Sequence, residues 1–469
     1  MSKYNNCLTK NYHITNYYLF GDGFSDDKIN KIFCENRRLQ RWLDVEIALA
    51  QSQAELGIIP LTVAEDLEKT GKIECFDIEA IKLDIQKTGH SLVPLLNEWK
   101  KHIPIDSRDY IHFGATTQDI QDTSQSLELK EGASIIEDYL CILCDTLCKL
   151  IDKSHKVIMV GRTHGQPALP ITLSLKLSVY LDQCIRALEA LRYNGHNAAV
   201  SQLFGGVGTM ASFNDNALDL INMFSKKLNL KVPDISWHVS RDRIVSFIFS
   251  LSLICGALSN IANEIIALSK DEIGELREGY SKFAIGSSTM PHKHNPENSE
   301  RVILLYKLTK SCINLSFDSL CNEHERDYRS VRIEWVSLYE ALTYTAKSLT
   351  LTNDILENLI INVNKIEYNL KNRDYILSEK LMFTLGELLG KNKAYDILFN
   401  IYNDCTRKSS LFIADELIKH PDINKILTLK ELKEITNPSN YIGCSEILSK
   451  SIVEKARQFI SNKEFSHEQ

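Results

Sequence analysis

The sequence predicts an all-α fold organised around a long central helical bundle, and three observations carry that expectation. Glycine (20) and proline (10) are scarce among 469 residues, about half their usual share, so turns are few and helices long. In three segments apolar residues recur at steps of three and four: Ile136, Leu140, Leu143, Leu147 and Leu150; then Leu173, Leu177, Tyr180, Cys184, Ala187 and Leu191; then Phe247, Leu251, Ile254, Leu258, Ile261 and Ile265. A seam that repeats about every 3.5 residues packs helices side by side at a shallow angle, mainly antiparallel in a bundle. Finally, residues 244–263 carry no charge over twenty positions, enough to cross a bilayer by length. They include Ser246, Ser250, Ser252, Ser259, Asn260 and Asn263 and run on into Glu264, as expected of a buried bundle helix.

The order along the chain gives three helical regions. An amino-terminal region, 1–110, contains a helix over 33–56 that stops at Gly57 and Pro60. The central bundle spans 111–360. A carboxy-terminal region, 361–469, has shorter, more polar helices, with breaks expected at Gly386, Gly390, Pro421 and Pro438. The opening residues are polar and lack the apolar core of a secretory leader, and the twelve cysteines lack framework spacing, so a reducing cytoplasm is expected. Cys141, Cys144 and Cys148 fall on the bundle seam and read as core residues rather than metal ligands. Lys+Arg 54 against Asp+Glu 61 gives a net charge of -7 with no basic tract. That excludes a nucleic-acid footprint and favours a small-molecule partner, with no membrane association.

Three segments break the helical rule and concentrate small polar residues: HFGATTQDIQDTS from His112, GRTHGQPALP from Gly161 and GSSTMPHKHNPENSE from Gly286. Loops of this kind expose backbone N–H groups and hydroxyls that bind carboxylates, with Lys or Arg as counter-charge. Together they read as a site for an acidic substrate. His164 can shuttle a proton near neutral pH. Ser287 or Ser288, beside Lys293, can supply an activated oxygen, and Glu300 can orient a histidine. The alternative is that these segments are caps and connecting turns, with His164 a core residue.

GSSTMPHKHNP closely resembles the signature loop of the fumarase/aspartase superfamily of lyases. LQRWLDVEIALAQSQAELGIIP, HFGATTQDIQDTS, GRTHGQPALP, GGVGT from Gly205, SRDR from Ser240 and HERD from His324 resemble, in order, the adenylosuccinate lyase and 3-carboxy-cis,cis-muconate cycloisomerase branch. The resemblance implies a homotetramer with a shared helical core and active sites built from loops of three subunits. It implies a reversible anti β-elimination that releases fumarate from a di- or tricarboxylate substrate, without cofactor or metal. By the same resemblance Ser288, or else Ser287, is the base, supported by Lys293; His164 is the general acid and Glu300 orients it. Thr116, Thr117, Thr163 and Asn295 match carboxylate-binding positions, and His90 in TGHS matches a second lyase histidine. Arg241, Arg243 and Arg326 either supply charge to the substrate or tie the bundle together.

The chain also departs from the adenylosuccinate lyase pattern. It lacks the opening Arg-Tyr-Ser type motif, has Ser240 for a glutamine, and carries Trp335 where an arginine that meets the AMP phosphate is expected, with Arg329 and Arg332 as alternatives. Glu334–Trp335 and GATTQD are cycloisomerase-like, whereas His90 and His164 are lyase-like. The expectation is a carbon–nitrogen lyase acting on a substituted succinate that is not a nucleotide. The alternatives are a cycloisomerase and a catalytically silent homologue.

Overall fold

The computed structural model describes residues 13–279, 289–290, 292–371, 374–408 and 413–462. The chain opens with α1 (Asp27–Phe33), α2 (Glu35–Glu55), α3 (Leu61–Thr70), α4 (Ile78–Thr88) and α5 (Val93–Lys100). The seam of α2 turns Leu39, Trp42, Leu43, Val45 and Leu49 inward against α3 to α5, forming a separate core. As expected, α2 stops at Gly57, which has a positive φ of 70°.

The bundle begins with α6 (Thr117–Ser154), followed by a hairpin of β1 (Ile158–Thr163) and β2 (Gln166–Thr172). Then come α7 (Leu173–Ala198), the short α8 (Ala217–Lys227) and α9 (Asp242–Ser269). Beyond β3 (Leu276–Arg277) lie α10 (Glu297–Phe317) and α11 (Tyr328–Glu357), and β4 (Ile360–Ile361) returns antiparallel to β3. Helices α6, α7, α9, α10 and α11 pack on one another around one apolar core. All three seams point into it, with Leu150 and Tyr180 at its margin. Helix α9 is long and apolar enough to cross a membrane, but 72% of its most apolar stretch is buried in the bundle. Its polar groups are bonded there: the Ser250 hydroxyl donates to the Phe247 carbonyl at 2.6 Å, and the Cys255 thiol meets Thr345 at 3.3 Å. Cys141, Cys144 and Cys148 are buried in the same core, where desolvation pushes the Cys148 thiol up to about 11.

The remaining elements are α12 (Val363–Lys371), α13 (Ser378–Leu389), α14 (Lys391–Lys408), α15 (Ile413–Leu417), α16 (Pro421–Asn424), α17 (Leu429–Ile435) and α18 (Ser445–Ser461). Gly390 ends α13 with φ 84°, and Pro421 starts α16. Gly386, by contrast, lies inside α13, where a helical glycine costs only about 1 kcal/mol. Packing crosses the expected regional boundaries twice. Leu203, Phe204, Phe213 and Phe224 complete the amino-terminal core, and α18 returns to the bundle through Val453 and Ala456.

Candidate functional site

The first polar segment forms the entry to α6. Gly114 turns the chain with φ 81°, and a Cβ there would meet the Phe213 ring at 2.5 Å, so only glycine fits. Thr116 then caps α6. One turn in, the fully buried Asp119 accepts hydrogen bonds from the amides of Thr116 (3.0 Å), Phe204 (3.0 Å) and Gly205 (2.9 Å) and meets His238 Nε2 at 3.0 Å. This one carboxylate ties the first polar segment to the GGVGT turn and to the segment before α9. Composition alone gave no reason to single it out, although Thr-x-x-Asp before a long helix is a readable cap signature.

Beside that entry is a cleft of about 320 Å³ whose lining includes His90, Thr116, Thr117, Gln118, Arg326 and Arg332. Four of the expected binding residues, His90, Thr116, Thr117 and Arg326, therefore converge. Nδ1 of His90 accepts the amides of Leu92 (3.3 Å) and Val93 (3.1 Å), which caps α5 and places the proton of the neutral ring on Nε2. Arg326 donates to the Thr116 hydroxyl. Tyr328 is fixed by Gln121 at 3.0 Å and Ser91 at 3.1 Å.

A second cleft, about 210 Å³, includes Lys293 and Asn295 in its lining, together with Arg277 and Glu278. Glu278 accepts the Ser299 amide at 2.5 Å at the start of α10. Ser287 and Ser288 lie outside the described residues. Glu300 is exposed in the first turn of α10 and lines neither cleft.

His164 sits at the tip of the β1–β2 hairpin, with Thr163 paired to Gln166. His164 and Gly165 have φ of 52° and 74°, the two positive values that a two-residue type I′ turn requires. His164 is thus an exposed turn residue, not a core histidine. The hairpin is anchored by Arg162, which pairs with both oxygens of the buried Glu275 at 2.7 and 2.9 Å. Helix α6 separates this turn from the first cleft. Its 38 residues span roughly 55 Å, and the ten residues from Ser154 to His164 reach back at most roughly 35 Å. In one chain, His164 therefore stays about 20 Å or more from the start of α6.

Arg241, for which substrate charge and a tie within the bundle were both open, is bonded here as a tie. It is fully buried and pairs with Asp122 at 2.9 and 3.1 Å and with Glu334 at 2.7 Å. Burial opposes its charge, but the two carboxylates hold its pKa above the usual guanidinium range. Arg243 lines a different cleft, with Lys231 and Asp242. Arg329 is held by Asp327 and Glu323. Trp335 packs into the amino-terminal core, and Arg38 and Arg332 lie 5.1 and 4.2 Å from its ring centroid.

His112, at the start of the first polar segment, contacts the buried Glu46 at 2.6 Å. Burial disfavours its charge, but the Glu46 carboxylate and hydrogen bond raise its pKa above the ordinary 6.5. Among the described residues no group of three or more His, Cys, Asp or Glu is placed to hold a metal ion.

A family model described as Lyase matches residues 23–307. The chain is 34% identical over 432 residues to N-acetyl-S-(2-succino)cysteine lyase of Dickeya dadantii (strain 3937), covering 92% of this chain and 95% of that protein. It is 32% identical to adenylosuccinate lyase of Methanocaldococcus jannaschii, covering 94% and 96%. The crystal structure of 3-carboxy-cis,cis-muconate lactonizing enzyme from Pseudomonas putida superposes with a TM-score of 0.87 at 28% identity, covering 94% and 99%. With its helical bundle and the signature segments in their expected order, the chain belongs to the fumarase/aspartase superfamily of lyases, in the branch of adenylosuccinate lyase and 3-carboxy-cis,cis-muconate cycloisomerase.

Proposed function

We propose that this lyase releases fumarate from a 2-substituted succinate whose leaving group is not a nucleotide and is joined through sulfur. The carrying observation is the first cleft. It gathers the hydroxyls of Ser91, Thr116, Thr117 and Tyr328, the His90 ring and the guanidiniums of Arg326 and Arg332, a lining suited to several carboxylates. The packing of Trp335 on the amino-terminal core argues against a phosphate contact at that position. Similarity to an N-acetyl-S-(2-succino)cysteine lyase moves the preference from a carbon–nitrogen to a carbon–sulfur bond.

In this reading Ser288, or Ser287, removes the proton from the carbon beside one carboxylate, with Lys293 stabilising the ionised hydroxyl. The electron pair forms the double bond as the carbon–sulfur bond breaks, and His164, oriented by Glu300, protonates the departing thiolate. Thr116, Thr117, Thr163, Asn295, His90 and Arg326 hold the carboxylates against the charge that develops on them. The separation imposed by α6 supports a site completed by other copies of the chain, as in a homotetramer. Exposed apolar residues on the long helices, among them Val179, Phe249, Leu253 and Leu304, suit such packing.

The structural likeness to a muconate lactonizing enzyme favours cycloisomerisation as the second reading. Purified protein is to be assayed with N-acetyl-S-(2-succino)cysteine, adenylosuccinate and 3-carboxymuconate. Fumarate from the thioether, at a kcat/KM well above that for adenylosuccinate, is the expected result. Turnover of the muconate alone would replace this reading with the second.

A further inference from the structure

Arg332 stands apart from the other arginines around the cleft. Tyr328, Arg332 and Trp335 are spaced i, i+4 and i+7 along α11, so they share one helix face with the arginine between two aromatic rings. Its guanidinium carbon lies 4.9 Å from the Tyr328 centroid and 4.2 Å from that of Trp335. Both rings are themselves fixed, Tyr328 through its hydroxyl to Gln121 and Ser91, Trp335 by packing against Trp42. Among the described residues no carboxylate pairs with Arg332, whereas Arg329 is neutralised by Asp327 and Arg241 by Asp122 and Glu334. Stacking fixes the plane of the guanidinium while leaving its N–H donors for a ligand, and a planar fork matches a carboxylate bidentately. Arg326, hydrogen-bonded to Thr116, belongs to the end of the cleft where the α6 entry supplies hydroxyls.

We infer that Arg332 is an anion subsite for the leaving group, receiving a carboxylate carried by the departing thiol while the succinyl carboxylates are held elsewhere in the site. The inference rests on the proposed lyase reading for its substrate, and it explains how specificity is retained with tryptophan at position 335. It names a carboxylate rather than a phosphate, since Trp335 and the engaged Arg329 leave one free fork at this place.

The test compares N-acetyl-S-(2-succino)cysteine with its analogue in which the cysteine carboxylate is an amide, in the wild-type protein, Arg332→Met and Arg332→Lys. Methionine keeps an unbranched chain against the rings and removes the charge. Wild type should favour the acid over the amide by about ten- to a hundredfold in kcat/KM, the range for a charge-assisted contact. Arg332→Met should bring that ratio close to one, and Arg332→Lys should restore part of it. Calorimetric binding of N-acetylcysteine and N-acetylcysteinamide in the presence of succinate, which has no double bond for the thiol to add to, gives the same comparison without turnover. Equal handling of acid and amide by wild type, or a preference that survives in Arg332→Met, would overturn the subsite. A binding preference lost in Arg332→Met, without fumarate from either thioether, would support the subsite and reject the proposed reaction. Efficient turnover of adenylosuccinate that falls in Arg332→Met would assign the fork to a phosphate and overturn the inference as stated.

Discussion

Trp335 lies against Trp42, with ring centroids 6.2 Å apart and planes inclined at 38°. The indole is half-buried against the amino-terminal core, with the guanidiniums of Arg38 and Arg332 already over it. Trp335→Arg should therefore place a third cation in an apolar cluster and cost of the order of 3 kcal/mol, as for loss of a large aromatic. It should lower the melting temperature without conferring efficient cleavage of adenylosuccinate. A stable variant that gains that activity would show that Trp335 only fills a vacated phosphate site.

Arg241→Met should be among the most destabilising single changes. It leaves Asp122 and Glu334 buried with no cation between them, and breaking a buried pair costs about 3–5 kcal/mol. Urea denaturation should show the loss in the midpoint. A variant of normal stability with weakened substrate binding would return Arg241 to the binding residues.

His164→Ala should lower turnover by about a hundredfold or more, the usual range for a lost general acid. The loss should be smaller for thiolate than for amine leaving groups, because a thiolate departs with little help from a proton. Equal losses for both series would count against the proton-donor role.

The contact between His112 and Glu46 should make stability depend on pH. Because the folded pKa of His112 is raised above 6.5, its contribution is complete below that pH and is lost as pH rises through the folded value. The difference in melting temperature between wild type and Glu46→Gln should shrink as the pH is raised from 6.5. A constant difference would mean that His112 does not titrate in this window.

Sedimentation at micromolar concentration should give about four times the chain mass of 53.5 kDa. Co-refolding His164→Ala with Arg326→Ala should regain part of the activity that each lacks alone. No recovery in a confirmed mixed tetramer would argue against sites shared between chains.

Much of the architecture was legible because burial leaves a periodic trace. The seams through Ile136, Leu177 and Leu251 needed only apolar spacing. Of the candidate site, the residue types could be read along the chain, but not which of them converge. Thr116 and His90 are adjacent in space though distant in sequence, and the 38-residue span of α6 that keeps His164 away from them is visible only once the helix has been traced. Arg241 and Arg326 look alike in a sequence. Their difference lies in partners, Asp122 and Glu334 for one and a hydroxyl at a cleft for the other. The hairpin carrying His164 was hidden because GRTHGQPALP has the composition of a loop, and pairing with an adjacent segment is what makes it two strands.

Asp119 sets a limit on how the cleft can breathe. Its carboxylate holds the Thr116, Phe204 and Gly205 amides together, so none of these turns can open by itself without leaving a buried anion short of donors. The entry of α6 and the GGVGT turn must loosen as one cooperative unit or not at all. Motions that widen this cleft are thereby directed away from the wall that Asp119 ties, toward the side lined by α11.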